Sequence, residues 1–178
     1  MPFAVTHVIT AIIVVGLYRD FFAKKKFATS FVVFAGLAGL LPDADLALGW
    51  ILNGSSGGSI GVESIHRLFT HSLIWAILLA GLAIVMHFVL TKKLYKILNH
   101  KISKQSIILL LAILSAGWLI HIGLDCAFAS SEELTLVPGT PLTCPSGISN
   151  LSLQSFDAIL LLGWLFWEQH KHRIIDYV

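Results

Sequence analysis

Five apolar stretches set the pattern of the chain: about Ala4–Phe22, Ala28–Leu52 with an interruption at Pro42, Leu68–Leu90, Ile107–Phe128 and Leu153–Trp167. The first four approach or exceed the roughly 20 residues a helix needs to cross a bilayer. The fifth is short and is expected to cross with little tilt or to lie partly in the interface. The pattern predicts an all-α fold: a polytopic helical membrane protein with about five transmembrane helices, forming a single domain over residues 1–178. Two connectors stand out. One runs from Ile51 to Gly61 through Asn53-Gly54-Ser55-Ser56-Gly57-Gly58-Ser59 and reads as flexible. The other, Ser130 to Asn150 with Pro138-Gly139-Thr140-Pro141 and Cys144-Pro145-Ser146-Gly147, is a loop long enough to serve as a lid.

Composition supports the membrane reading. Hydrophobic residues make up 56% of the chain and charged residues 12%, with a mean hydropathy of +0.84, whereas soluble domains carry about 25% charged residues. The first apolar run has no basic residue before it and its positive charges follow it, so Met1 to Phe22 reads as a retained helix and not a secretory signal. Charge placement then orients the chain. Arg19 and Lys24 to Lys26 follow segment one; Lys92, Lys93, Lys96, Lys101 and Lys104 lie between segments three and four; Lys171 and Arg173 follow segment five. The other two connections carry Arg67 alone. The positive-inside rule therefore predicts an N-terminus outside, a C-terminus in the cytoplasm and an odd number of crossings of the cell (inner) membrane.

Against this background, Leu40-Leu41-Pro42-Asp43-Ala44-Asp45-Leu46 sets two carboxylates inside an apolar run. An acid at membrane depth costs about 2.5–3.5 kcal/mol on insertion scales, and a bound cation is the simplest compensation. Depth identifies the partners. At 1.5 Å per helical residue, His7 lies roughly 25 Å from Lys24, Asp43 roughly 24 Å from Phe27, His71 roughly 31 Å from Lys92 and His121 roughly 25 Å from Lys104. Helices running in alternating directions would gather these residues in one layer near the non-cytoplasmic face.

The spacings suit metal ligation. His121 and Asp125 are an i,i+4 pair on one helix face. His66 and His71, i,i+5, converge only if His66 lies at or before the first turn of its helix. Asp43 and Asp45 need the non-helical backbone that Pro42 makes available. Four histidines (His7, His66, His71, His121) and three carboxylates (Asp43, Asp45, Asp125) fit zinc, iron or manganese better than calcium or magnesium. Seven candidates exceed the four that one zinc requires, which favours two ions sharing a bridging carboxylate. Taken singly, His7 reads equally as a helix–helix hydrogen bonder, His121 and Asp125 as a buried ion pair, and Thr70 and Ser72 as groups bonded to their own helix.

Arg67, between the two histidines, reads as a clamp for an anionic substrate or as a partner of Glu63 or a lipid headgroup. His87, His100, His170 and His172 fall toward the cytoplasmic side and are set apart from the site. Glu63, Glu132, Glu133, Gln154 and Asp157 are second-tier candidates on the outer side. Cys126 and Cys144 fall there too, as a disulfide pinning the loop or as two free thiols.

Thr6-His7, Leu41-Pro42-Asp43-Ala44-Asp45, His66-Arg67-Leu68-Phe69-Thr70-His71-Ser72 and His121-Ile122-Gly123-Leu124-Asp125 resemble the successive motifs of the YdjM-like family, LexA-regulated inner-membrane proteins assigned as metal-dependent hydrolases. The similarity covers about residues 1–130. It implies a small helical membrane protein with a distant similarity to zinc-dependent phospholipase C, most visible at His121 and Asp125. It also implies His7, Asp43, Asp45, His66, His71, His121 and Asp125 as the ligand set. The chain departs from the pattern at Cys126-Ala127-Phe128-Ala129, which lacks the expected Thr and Gly, and in the Cys144 loop.

The expectation is a divalent-metal-dependent hydrolase of a phosphoester, lipid or lipid-linked, taking zinc in one or two ions, or manganese or iron. Asp45 or Asp43 would bridge the metals or orient the attacking water, and Arg67 would hold a phosphate oxygen. Its partners would be membrane lipids and an anionic phosphate-containing substrate, with no nucleic acid. A metal carrier or sensor and a non-catalytic metal-stabilised membrane protein are the competing readings. Few polar residues continue toward the cytoplasm (Arg19, Asp20, His87, Ser115), which weighs against a carrier.

Overall fold

The computed structural model describes residues 4–44, 70–89, 104–128, 136–138, 140, 144 and 153–172, and all regular structure among them is helical. Helix α1 is Ala4–Leu17 and continues as a π turn, Tyr18–Phe22. Helix α2 is Thr29–Ala38, followed by a 3₁₀ turn at Leu41–Asp43. Helices α3 (Leu73–Val89), α4 (Lys104–Phe128) and α5 (Leu153–His172) complete the bundle.

Among the described residues, two stretches, Ala4–Phe22 and Gln105–Phe128, are long and apolar enough to cross a membrane by themselves. The five expected crossings are therefore not all reproduced as continuous apolar helices. Helix α2 shows why. The apolar run Ala28–Leu52 was expected to be interrupted at Pro42, and α2 ends at Ala38, four residues before this proline, which has no N–H to continue the hydrogen-bond ladder. The chain tightens first, with Leu40 N donating to Leu37 O at 3.0 Å and Asp43 N to Leu40 O at 3.1 Å. Helix α3 starts at Leu73, later than Leu68, because Ser72 caps it. The Ser72 hydroxyl accepts from Ile74 N at 3.2 Å, an N-terminal cap of the ordinary kind. The N–H of Leu73, which has no partner inside the helix, donates to Leu136 O of the Ser130–Asn150 loop at 3.0 Å. The Asn53–Ser59 connector and most of the Ser130–Asn150 loop lie outside the described residues.

Contacts give the direction of each helix. Gly39 approaches His7 and Gly16 approaches Val32, so α1 and α2 are antiparallel. Ser115 Oγ donates to Ala76 O at 2.8 Å and Trp118 Nε1 to Thr70 O at 3.1 Å, so α3 and α4 are antiparallel too. Thr6 bonds Asp157 at one end and Asp20 pairs with Lys171 at the other, which makes α1 and α5 parallel. Direction alternates along the chain.

Small residues set how closely these helices pack. A Cβ on Gly117 would lie 2.6 Å from the Ala38 Cβ, and one on Gly39 would lie 2.9 Å from the His7 carbonyl oxygen. Such contacts bring helix backbones together where lipid supplies no hydrophobic drive. Ile12, Val15, Val32, Ala35, Ala38 and Ile113 form the apolar core beside them.

Polarity is inverted relative to a soluble domain. The largest fully buried side chains are His7, His71, His121, Thr6, Asp125, Pro42 and Ser72, whereas Ile77, Phe88, Ile159 and Phe166 are 65–77% exposed. Large apolar side chains pointing outward around a polar interior are what a hydrocarbon solvent selects.

Gly117→Ala is expected to lower the thermal unfolding temperature in detergent, at a cost of about 1–3 kcal/mol for overpacking the α2–α4 contact. Gly81→Ala, where a Cβ meets nothing within 4 Å, should leave that temperature unchanged or raise it. Equal behaviour of the two variants would contradict the close-packing account.

Candidate metal centre

The polar interior is concentrated at one end of the bundle. Helix α1 supplies His7 from its first turn, and the 3₁₀ turn after α2 supplies Asp43. The residue before the Ser72 cap of α3 is His71, and the last two turns of α4 carry His121 and Asp125. The antiparallel pairs bring helix starts and helix ends together here, as counting depth from the lysine rows anticipated. His87 and His170 lie toward the other ends of their helices and take no part.

Four ligand-type atoms converge. His71 Nε2 and His121 Nε2 are 3.1 Å apart. Asp125 Oδ2 is 3.2 Å from each of them. Asp43 Oδ1 is 3.4 Å from His71 Nε2 and 3.5 Å from His121 Nε2. Four ligands held about 2.0–2.1 Å from a tetrahedral centre, the zinc–nitrogen and zinc–oxygen distance, stand about 3.3–3.4 Å from one another. Five of the six separations among these atoms, 3.1–3.5 Å, bracket that edge.

The hydrogen bonding agrees with a cation at the centre. His121 Nδ1 lies 2.7 Å from Gly39 O, and a carbonyl only accepts, so Nδ1 carries the proton and donates it. Nε2 of the neutral ring is then a bare lone pair aimed at the cluster. Fixing a ligand imidazole through its other nitrogen is the usual support of a metal-bound histidine. Asp125 Oδ2 is buried and accepts no hydrogen bond, although both imidazole nitrogens are close. Acceptors facing acceptors repel unless a positive charge lies between them.

A second group adjoins the first. His7 Nε2 is 3.4 Å from Asp125 Oδ1, the other oxygen of the same carboxylate. The His7 ring stacks on that of His121, with centroids 3.9 Å apart. His7, His121 and Asp125 thus form a second potential ligand set beside Asp43, His71 and His121. Among the described residues, Asp125 is an acid whose two oxygens face different ligand groups. The reason is positional: Asp125 is on a helix in the middle of the cluster, whereas Asp43 approaches from the edge.

Of the seven candidate ligands, the structure brings together His7, Asp43, His71, His121 and Asp125; Asp45 and His66 lie outside the described residues, as does the candidate clamp Arg67. Exposure is uneven. The His71 and His121 side chains are 0% exposed and that of Asp125 is 3%, but that of Asp43 is 30%. The cluster therefore meets solvent over Asp43.

Several contributors were not foreseen as such. Thr6 donates to Asp157 of α5, a second-tier candidate, beside His7. Gly39 acts through its carbonyl, and a backbone group leaves no residue-type signal in a sequence. Cys126, next to Asp125, forms a disulfide with Cys144, with 5.3 Å between the Cα atoms. With the Leu136 contacts to Ser72 and Leu73, this ties the outer loop to the bundle beside His71 and beside Asp125.

A family model described as YdjM inner membrane protein matches residues 1–175, and the chain belongs to that family. No curated protein and no solved structure matches the chain.

Purified protein is expected to hold at least one equivalent of zinc or a similar divalent ion by elemental analysis. Asp125→Asn and His121→Ala should each reduce the content to near zero, and His7→Ala should remove no more than one equivalent. His87→Ala, remote from the cluster, should leave it unchanged. Retention of full metal content by Asp125→Asn would exclude this centre.

Proposed function

We propose that this member of the YdjM inner membrane protein family is a metal-dependent hydrolase of phosphoesters, acting on a lipid or lipid-linked substrate at the non-cytoplasmic face. The observation that carries the reading is the spacing of His71 Nε2, His121 Nε2 and Asp125 Oδ2, 3.1–3.2 Å on each edge, with Asp43 Oδ1 3.4–3.5 Å from the two rings on the solvent side. A divalent ion held by His71, His121 and Asp125 would keep a position beside Asp43 for water, and would supply an acidified water and a Lewis-acid contact for a phosphoryl oxygen.

The chain's own groups then have distinct tasks. His121, locked by the Gly39 carbonyl, and His71 present lone pairs of fixed direction. Asp125 supplies negative charge to both ligand groups, so that His7 and a second ion extend the site when two are bound. Asp43, the partly exposed acid, lies where water and substrate enter; there it orients the attacking water and accepts its proton. On sequence grounds Arg67 holds a phosphate oxygen and Asp45 assists Asp43. The tied outer loop limits bulk water.

Topology supports an amphiphilic substrate. Eleven of the twelve Lys and Arg residues belong to the connections at the end of the bundle remote from the histidines, which favours five crossings with the N-terminus outside. The Cys126–Cys144 disulfide at the histidine end supports the same orientation independently, since such bonds persist in oxidising compartments. The metal-carrier reading finds less support. Toward the basic end the core is Ile12, Val15, Val32, Ala35 and Ile113, and Ser115 is already bonded to Ala76 O.

In nanodiscs, the wild type is expected to hydrolyse at least one member of a panel of phospholipids, lipid phosphates and soluble phosphoesters. Asp43→Asn at saturating zinc should lose about 100-fold or more in kcat. Metal-loaded protein with no turnover on any member would move the assignment to a non-catalytic metalloprotein. A green fluorescent protein fused after Val178 should fluoresce; a dark fusion would reverse the orientation.

A further inference from the structure

At the end remote from the histidines, α1 opens into the π turn Tyr18–Phe22 before the chain returns through Lys24-Lys25-Lys26 to α2. The π geometry is rare and occurs mostly as single turns, often at functional sites. Between this return, α2 and the start of α4 lies a cleft of about 790 Å³. Its walls are Tyr18, Phe22, Phe27 and Phe31, and the three lysines line it as well. That volume is in the range of pockets that enclose small molecules, about 300–1,000 Å³.

The local charges are unevenly satisfied. Arg19 is engaged internally: its Nε donates to Phe27 O at 2.7 Å and its Nη1 pairs with Asp20 Oδ1 at 3.1 Å. Lys171 also pairs with Asp20 and lies over the rings of Phe21 and Trp167. Lys26 reaches Asp20 only at 4.0 Å, with its side chain 65% exposed. Lys24 and Lys25 are exposed and make no ion pair among the described residues. Asp20 thus serves three cations, and the lysine row keeps an excess of positive charge over aromatic walls.

We propose that this cleft binds one anionic phospholipid of the adjacent leaflet, with its phosphate on Lys24, Lys25 and Lys26 and its first methylenes against Phe22, Phe27 and Phe31. Both halves of the site are needed for this choice. A soluble polyanion satisfies the lysines and leaves the aromatic walls in water. A zwitterionic lipid covers the walls and sets its own cation against the lysines. Basic pockets between helices on the cytoplasmic side are suited to anionic headgroups, and the charge pattern assigns this end to that side. The site is separate from the metal centre and does not depend on the hydrolase reading.

The test is native mass spectrometry of the full chain in neutral detergent, titrated with phosphatidylglycerol or with phosphatidylcholine of the same acyl chains. The wild type is expected to prefer phosphatidylglycerol by about tenfold or more, given roughly a fivefold contribution from each engaged lysine. Lys24→Gln/Lys25→Gln/Lys26→Gln should abolish the preference. Phe31→Trp, which fills the cleft without changing charge, should reduce it severalfold. Lys92→Gln/Lys93→Gln/Lys96→Gln, with the same charge loss elsewhere, should keep it. Absence of preference in the wild type, equal loss in the two triple variants, or an unaltered preference in Phe31→Trp would each overturn the proposal. The wild-type and Phe31→Trp results decide the matter if the first triple variant does not fold.

Discussion

A carboxylate sunk among transmembrane helices must be compensated where it lies, because hydrocarbon cannot solvate it and the helix cannot carry it to water. Asp125 is that carboxylate here. It is 2% exposed, one turn from His121 on α4, with His7, His71 and His121 within 3.2–3.4 Å of its oxygens. Imidazoles alone satisfy it incompletely. His121 spends its Nδ1 proton on Gly39 O, and Asp125 Oδ2 receives no hydrogen bond. A cation between these groups would make the arrangement a coordinating one, and the helix contacts hold those groups together.

The helices can do so because small residues stand where they cross. Gly39 and Gly117 let α1, α2 and α4 approach to backbone contact, which is what puts a main-chain carbonyl within 2.7 Å of a histidine ring on another helix. The break at Pro42 has a matching role. By ending α2 it releases a turn on which Asp43 can face two histidines and still reach solvent. Ser72 then caps α3 directly after His71, and the hydrogen bonds to Leu136 close the outer loop over that cap. Packing and site chemistry are therefore the same set of contacts.

Much of this could be read from residue spacing. The i,i+4 step from His121 to Asp125 requires a shared helix face, and counting turns from the lysine rows put His7, Asp43 and His71 at a common depth. What could not be read depends on tertiary contacts. Sequence spacing carries no information about which carbonyl a ring nitrogen meets, so Gly39 was invisible. It also does not rank acids by position in a cluster, so the place of Asp125 between two ligand groups was not legible. The pairing of Cys126 with Cys144 rested on where an 18-residue loop would return, which local pattern leaves undetermined. The interruption expected at Pro42 is where α2 gives way to the turn Leu41–Asp43.

X-ray absorption at the metal edge of the purified, detergent-solubilised protein tests the central claim most directly. The account predicts a four-coordinate shell of imidazole nitrogen and carboxylate oxygen at about 2.0–2.1 Å, with the outer-shell scattering of at least two histidine rings. A six-coordinate all-oxygen shell, or protein that remains metal-free after zinc addition, would contradict it.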